Sequence, residues 1–205
     1  MIPCSAPEHL ARSLRTWRVL RRMKQRHAAE LLGVSQATVS RWESGRQAPD
    51  PEEQAAIRCL LRAALDSAAD RELARLVAQS RRPVHLICDL THTLLALSPS
   101  RARNCRVPAS ELMGTSLWPH ASEEIVEAEK RLAEFGWFEP APPAVEGDTG
   151  ENRSRELRIL ESRFRYVRFQ LSDGSFVRMV ETVAQRTGGA AGGAEGFCAE
   201  AAPGG

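Results

Sequence analysis

The sequence predicts an α+β protein, with an all-α N-terminal head followed by an antiparallel sheet carrying helices. Three observations predict it. Through residue 81 the apolar residues recur at helical spacing, and each run is bracketed by capping residues or glycine. After Arg82-Pro83 the pattern changes to short β-prone runs. Near the C-terminal end two alternating runs flank Asp173-Gly174, a strong signal for a two-residue hairpin.

Ser5-Ala6-Pro7-Glu8 has the form of a capping box, so a helix is expected through Leu10, Leu14, Trp17 and Leu20 to about Arg22. A second helix runs from about Lys24 to Leu32, with Gly33 placed to take the positive φ that often ends a helix. Ser35 caps a third helix, Gln36 to Ser44, which Gly45 ends. Asp50-Pro51-Glu52-Glu53 opens a fourth, whose apolar residues Ile57, Leu60, Leu61, Ala64 and Leu65 keep helical spacing. Residues 66–82 read as a charged connector helix with Leu73, Leu76 and Val77 as a narrow stripe, a candidate dimer seam.

Val84–Cys88 and Thr93–Leu97 read as strands, and short helices follow Ser98-Pro99 and span Ser110–Met113. Ser122 opens a longer helix that ends at Gly136, and Pro140–Gly150 reads as a loop. Glu156–Leu160, Phe164–Leu171 and Phe176–Val183 read as three further strands. Alternation puts Val167, Phe169 and Leu171 on one face, opposite Val180 and Phe176, as a cavity wall, core or interface. From Gln185 the chain is rich in glycine and alanine and reads as disordered. The implied organisation is a head at 8–65, a connector at 66–82, a second domain at 83–184 and a tail at 185–205.

The net charge of +2 is unevenly spread over the 205 residues. Between His9 and Arg46 nine Arg/Lys face two Glu, which leaves −5 for the remainder. A basic block of this kind suits a nucleic-acid-binding head. No apolar run is long enough to span a bilayer, and the N-terminus lacks an apolar signal core, so a cytoplasmic protein without a membrane partner is expected. Five scattered cysteines without metal-site spacing read as reduced thiols. No nucleophile elbow, phosphate loop or zinc-protease motif occurs, so no enzymatic activity is expected.

Gln25, Ala29, Gly33-Val34-Ser35, Val39, Trp42-Glu43, Gly45 and Pro49 together resemble the phage-repressor (Xre/Cro-like) helix-turn-helix family. The resemblance implies a bundle of about five helices, with Leu32, Val34, Val39 and Trp42 packed on Leu14 and Trp17. It implies a structural ion pair between Arg18 and Glu43. Gln36, Ala37, Ser40 and Arg41 fall at base-reading positions, and Gln25, Thr38, Ser44 and Arg46 at phosphate-binding ones. The expected partner is a double-stranded DNA operator, read in the major groove by a homodimer over half-sites about 34 Å apart. Lys24 departs from the pattern by standing where the family has a Thr or Ser cap.

The order of elements in residues 83–184, with Asp89, Leu94–Ser98 and Glu111-Leu-Met-Gly114, resembles a Per-Arnt-Sim (PAS) sensor domain. Asn104-Cys105-Arg106 echoes the flavin-bonding motif of light-sensing members, but it lies before the Glu111–Gly114 turn instead of after it. His85, His92 and His120 are candidate haem ligands, none in a ligand motif. No cofactor is therefore expected beyond an unidentified small ligand. A transcriptional regulator is the leading reading, and a flavin or haem sensor and an antitoxin-like autoregulatory protein are the alternatives.

Overall fold

The computed structural model describes residues 6–185 and the short strand Cys198–Ala199. The Ser5 cap and most of the glycine-rich tail expected to be disordered lie outside the described residues; within that tail Cys198–Ala199 form a strand.

Four helices build the head: α1 (Ala6–Leu20), α2 (Gln25–Leu32), α3 (Gln36–Glu43) and α4 (Pro51–Leu61). Their ends follow from local chemistry. Gly33 takes φ +66° to turn the chain from α2 into α3. The Ser35 hydroxyl accepts the Thr38 N–H, and Asp50 with Glu53 forms a reciprocal capping box. Lys24 caps nothing with its side chain, so α2 begins without that bond. Leu14, Val39, Trp42 and Ile57 are fully enclosed, with Trp17, Leu32 and Val34 packed around them.

The fourth helix is shorter than its spacing suggests. It stops at Leu61, and the next residues are extended. Ala63 and Leu65 then leave the head and pack on the second domain, which accounts for an apolar pattern that outlasts the helix. Helix α5 (Ala68–Gln79), capped reciprocally by Ser67 and Asp70, lies along the next sheet with Leu73 and Val77 facing it and Leu76 exposed.

The second domain holds an antiparallel sheet in the order β2-β1-β5-β4-β3-β6. Its strands are β1 (Val84–Cys88), β2 (Leu94–Leu97), β3 (Val145–Thr149), β4 (Ser162–Gln170), β5 (Phe176–Gln185) and β6 (Cys198–Ala199). Between β2 and β3 run α6 (Pro99–Ala102), α7 (Ala109–Leu112) and α8 (Glu123–Arg131), with single 3₁₀ turns at 118–120 and 132–135.

Three expectations are corrected here. Val145–Thr149, read as loop, is a strand paired with β4, Val145 opposite Tyr166. Glu156–Leu160, read as a strand, forms only an isolated bridge at Leu157. Its backbone is held instead by the Asn152 side chain, whose Nδ2 donates to the Leu157 carbonyl and whose Oδ1 accepts the Ile159 N–H. The hairpin is not a two-residue turn either. Leu171 N–H donates to the Ser175 carbonyl, enclosing Ser172, Asp173 and a left-handed Gly174.

The register also changes the faces. Tyr166 pairs with Val180 and Phe169 with Val177, so Val180 and Phe176 do not share a face with Val167, Phe169 and Leu171. Because side chains alternate across a strand, a one-residue difference in register moves a residue to the other side. Leu86, Phe169, Leu171, Val177 and Met179 form the outer face under α5. Ile87, Phe164, Tyr166 and Val180 point inward, under the helices.

Head and second domain are in direct contact. Leu90 from the β1–β2 turn packs on the head core, Cys88 Sγ lies 3.5 Å from the Leu61 carbonyl, and His9 of α1 stacks on Trp118 at 4.0 Å. Asp70 of α5 accepts from the backbone N–H and the hydroxyl of Ser172 in the β4–β5 turn.

Candidate nucleic-acid interface and buried polar centre

Helix α3 is anchored by its inner residues and open on its outer ones. Val39 and Trp42 are 0% and 1% exposed, while Gln36, Ala37 and Arg41 lie on the surface. The helix therefore offers one polar face with little freedom to rotate. Thr38 and Ser40 are half-buried at its flanks, and Ser44 and Arg46 are exposed beyond its end.

Arg18 holds this helix from behind. Its Nε and Nη2 donate to the two Glu43 carboxylate oxygens at 2.8 and 2.7 Å, and its Nη1 donates to the Met23 carbonyl at 2.8 Å. This fork-on-carboxylate geometry fixes both side chains. Burial alone would raise the Glu43 pKa, but hydrogen bonds from Arg18 and Gln25 hold it below the usual carboxylate range.

Gln25 has a place that the resemblance did not specify. Its Nε2 donates to Glu43 Oε2 at 3.0 Å, and its Oε1 accepts from Gln36 Nε2 at 3.1 Å. A carboxylate only accepts, so the Gln25 amide nitrogen must face Glu43 and its oxygen faces Gln36. A continuous chain thus runs from Arg18 through Glu43 and Gln25 to Gln36 at the start of the outer face. Arg41 is also braced, donating from Nε to Gln47 Oε1 at 2.8 Å and from Nη2 to Thr38 Oγ1 at 3.3 Å. The Ser44 hydroxyl donates to the Arg41 carbonyl. Gln25 and Gln36 thus form one bonded group and Thr38, Arg41 and Ser44 another, with Ala37 the exposed apolar residue of the helix.

Inside the second domain lies a charged centre that sequence reading missed. Asp89, buried after β1, accepts from Arg168 Nε at 3.0 Å, from Arg178 Nε at 2.9 Å and from Trp137 Nε1 at 3.2 Å. Arg178 reaches on to Glu129 of α8, with Nη1 donating to Oε2 at 2.7 Å. Arg168 and Arg178 stand directly opposite each other on β4 and β5, a repulsive arrangement unless a carboxylate lies between them. Asp89 is that carboxylate. Burial would lower the Arg178 pKa, yet Glu129 and Asp89 raise it, and it stays charged. Arg168 stacks over the Phe176 ring at 3.7 Å. The signal in the sequence was present: Arg168 and Arg178 occupy positions that alternation assigns to the inner face.

A cavity of about 70 Å³ accessible to water lies between the sheet and the helices, with Ile87, Phe164, Tyr166, Val180, His85 and Arg101 among its walls. Its lining comes from the Tyr166 and Val180 face, not from the Val167, Phe169 and Leu171 face. Arg101 on α6 is buried, and its guanidinium donates from Nη1 to Thr182 Oγ1 at 3.4 Å. No carboxylate among the described residues pairs with it. Burial lowers the Arg101 pKa, and burial with the neighbouring Arg101 and Arg178 holds His85 well below its usual value. His85 Nδ1 has no hydrogen-bond partner.

Of the three candidate haem ligands, His85 and His92 both border this cavity. His120 Nδ1 lies 2.8 Å from Ser154 Oγ, and His92 sits at the seam with the head. Cys105 is half-buried and burial raises its pKa, which disfavours a reactive thiolate.

A family model described as helix-turn-helix matches residues 14–62. No curated protein matches the chain. A crystal structure of the PAS domain of an HTR-like protein from Haloarcula marismortui aligns with a TM-score of 0.39 and 16% identity, over 56% of this chain and 92% of that one. Among the described residues no helix is long and apolar enough to cross a membrane. Residues 14–62 are thus similar to the helix-turn-helix family, and they are joined to an α+β domain built on an antiparallel sheet.

Proposed function

We propose that this protein is a sequence-specific DNA-binding transcriptional regulator that acts as a homodimer. The observation that carries the reading is the outer face of α3, where Gln36, Ala37 and Arg41 are exposed on a helix locked by Val39, Trp42 and the Arg18–Glu43 pair. In this reading α3 enters the major groove. Gln36 suits adenine, Arg41 suits guanine, Ala37 offers only a methyl contact, and Ser40 reaches the neighbouring base. Gln25, Thr38, Ser44 and Arg46 take phosphates, which set register without reading sequence. So few base readers on one head favour two copies on one operator.

The second domain is the sensing half, and its cavity points to a small anion. A buried guanidinium without a counter-charge is costly, and an anionic ligand facing Arg101 and His85 relieves that cost. The limited volume selects a compact carboxylate or oxyanion over a flavin or haem. Stabilisation of the wild-type chain by a panel of small carboxylates, abolished in Arg101→Gln, tests this part.

In vitro selection of random DNA with the full chain tests the whole. The expected result is a motif with two-fold symmetry, whose half-site spacing reports the dimer. Failure to enrich any motif, with an affinity insensitive to salt, would overturn it.

A further inference from the structure

Where α1 of the head meets the second domain, two imidazoles and a carboxylate lie side by side. His9 of α1 and His92 of the β1–β2 turn are each 5% exposed, and Glu129 of α8 completes the set. One donor atom from each lies within 4.8 Å of the others. Both ring nitrogens of His92 lack a hydrogen-bond partner, with Glu129 Oε2 standing off at 3.5 Å from Nε2. His9 makes only ring contacts, at 4.7 Å to His92 and 4.0 Å to Trp118. Buried polar groups are normally satisfied, so the His92 ring in this state, beside His9 and Glu129, points to a missing partner.

We propose that His9, His92 and Glu129 bind a borderline divalent transition-metal ion, zinc foremost, at the seam between the head and the second domain. Two imidazoles and one carboxylate are a donor set of borderline hardness, suited to zinc and its neighbours and not to magnesium or calcium, which take oxygen. Bonds of about 2.0–2.1 Å place tetrahedral donors about 3.3 Å apart, so His92 and Glu129 are already near that spacing and the remaining approach is at most about 1.5 Å. The fourth position is left to water. A cleft of about 390 Å³ bordered by His9, Arg12, Glu129 and Lys130 provides the entry path.

Charge sets the strength of this site. Asp89 and Glu129 already balance Arg168 and Arg178, so the ion enters a locally neutral cluster and shares Glu129 with Arg178. Affinity is therefore moderate, suited to reversible occupancy. Since His9 belongs to the head and the other two ligands to the second domain, occupancy fastens one to the other.

The test is Co²⁺ and Zn²⁺ binding to the full chain stripped of metal, with the exposed Cys59 changed to Ser. One ion per chain is expected, with the visible absorption of tetrahedral Co²⁺ and a change in Trp118 fluorescence through the stacked His9. Three variants keep the local shape: His9→Phe preserves the stacking, His92→Asn tolerates the positive φ of that turn (+55°), and Glu129→Gln preserves volume. Loss of a mere supporting partner weakens metal sites about 10–100-fold, so each variant should weaken binding by about 100-fold or more. Absence of saturable binding, or binding unchanged in His9→Phe and His92→Asn, overturns the proposal. Neither outcome touches the reading of α3, because no DNA enters the assay.

Discussion

Removing Arg18 isolates the contribution of the pair behind α3. In Arg18→Ala the Glu43 carboxylate, 4% exposed, keeps only the Gln25 amide as a donor. An unpaired buried charge costs about 3–5 kcal/mol when its partner is deleted. Glu43 can escape that cost by taking a proton, at about 1.36 kcal/mol per pH unit above a reference value of about 4.3. The escape limits the penalty of the unpaired carboxylate itself to roughly 3.7 kcal/mol at pH 7 and roughly 1 kcal/mol at pH 5. Arg18 is itself 15% exposed, which favours a value of about 3 kcal/mol at pH 7. Urea unfolding, followed by tryptophan fluorescence at both pH values, measures it. The double variant Arg18→Met, Glu43→Leu should fall within about 1 kcal/mol of wild type, since apolar replacement of a buried pair is often neutral. A loss in Arg18→Ala below about 1 kcal/mol at pH 7, or one equal at the two pH values, would refute the argument.

Two further outcomes follow from particular bonds. Gln36→Ala and Arg41→Ala should each relax preference by about 1–3 kcal/mol at one operator position, while Arg46→Ala should weaken binding to all sequences alike; competition binding against single-base operator variants separates these. Hydrogen bonds from Ser172, and then from Ser67, hold the Asp70 pKa at about 2. A depressed folded-state pKa gives stability that is present above the unfolded value of about 3.9 and is lost as pH falls towards 2. Ser172→Ala should therefore lower stability most above about pH 4, and its difference from wild type should shrink as pH falls towards 2, as urea unfolding at a series of pH values would show.

The head was legible because its signals are local. Gly33, Ser35, Asp50 and Glu53 each act within one turn, and the structure uses each of them as a cap or turn residue. The second domain was legible in its order but not throughout its strands. Val145–Thr149 contains glycine and two acids and becomes a strand because β4 offers it a partner. Glu156–Leu160 has the better strand pattern and loses that pairing to the Asn152 amide. Its buried Leu157 and Ile159 explain the alternation without a ladder. The seam was illegible for a third reason. His9, His92 and Glu129 are separated by long stretches of chain, and only the docking of α1 brings them together.

Arg178 ties these parts together, and its geometry can be tested. It bridges Asp89 and Glu129, lies 5.0 Å from the Trp137 ring, and forms part of the cavity wall that also holds Arg101. Asp89 adjoins Leu90, which packs on the head core, and Glu129 faces His9 of α1. An anion entering the cavity would therefore meet a guanidinium held by Asp89, next to Leu90 in the chain, and by Glu129, beside His9. Arg178→Lys keeps the charge but replaces a rigid fork with one point of attachment, so one carboxylate loses its donor. Protonation again limits the penalty of that carboxylate to roughly 3.7 kcal/mol at pH 7, and the variant should fold at low temperature. Its operator affinity without ligand should stay near wild type, since α3 is braced from Arg18 and not from this centre. What should disappear is the effect of the anion on that affinity. Coupling between two sites requires an element whose state both of them bias, and we propose the two-carboxylate bridge of Arg178 as that element. If Arg178→Lys binds DNA and anion as wild type does and the anion still shifts the operator affinity fully, the coupling runs elsewhere, through α5 and its contact with Ser172.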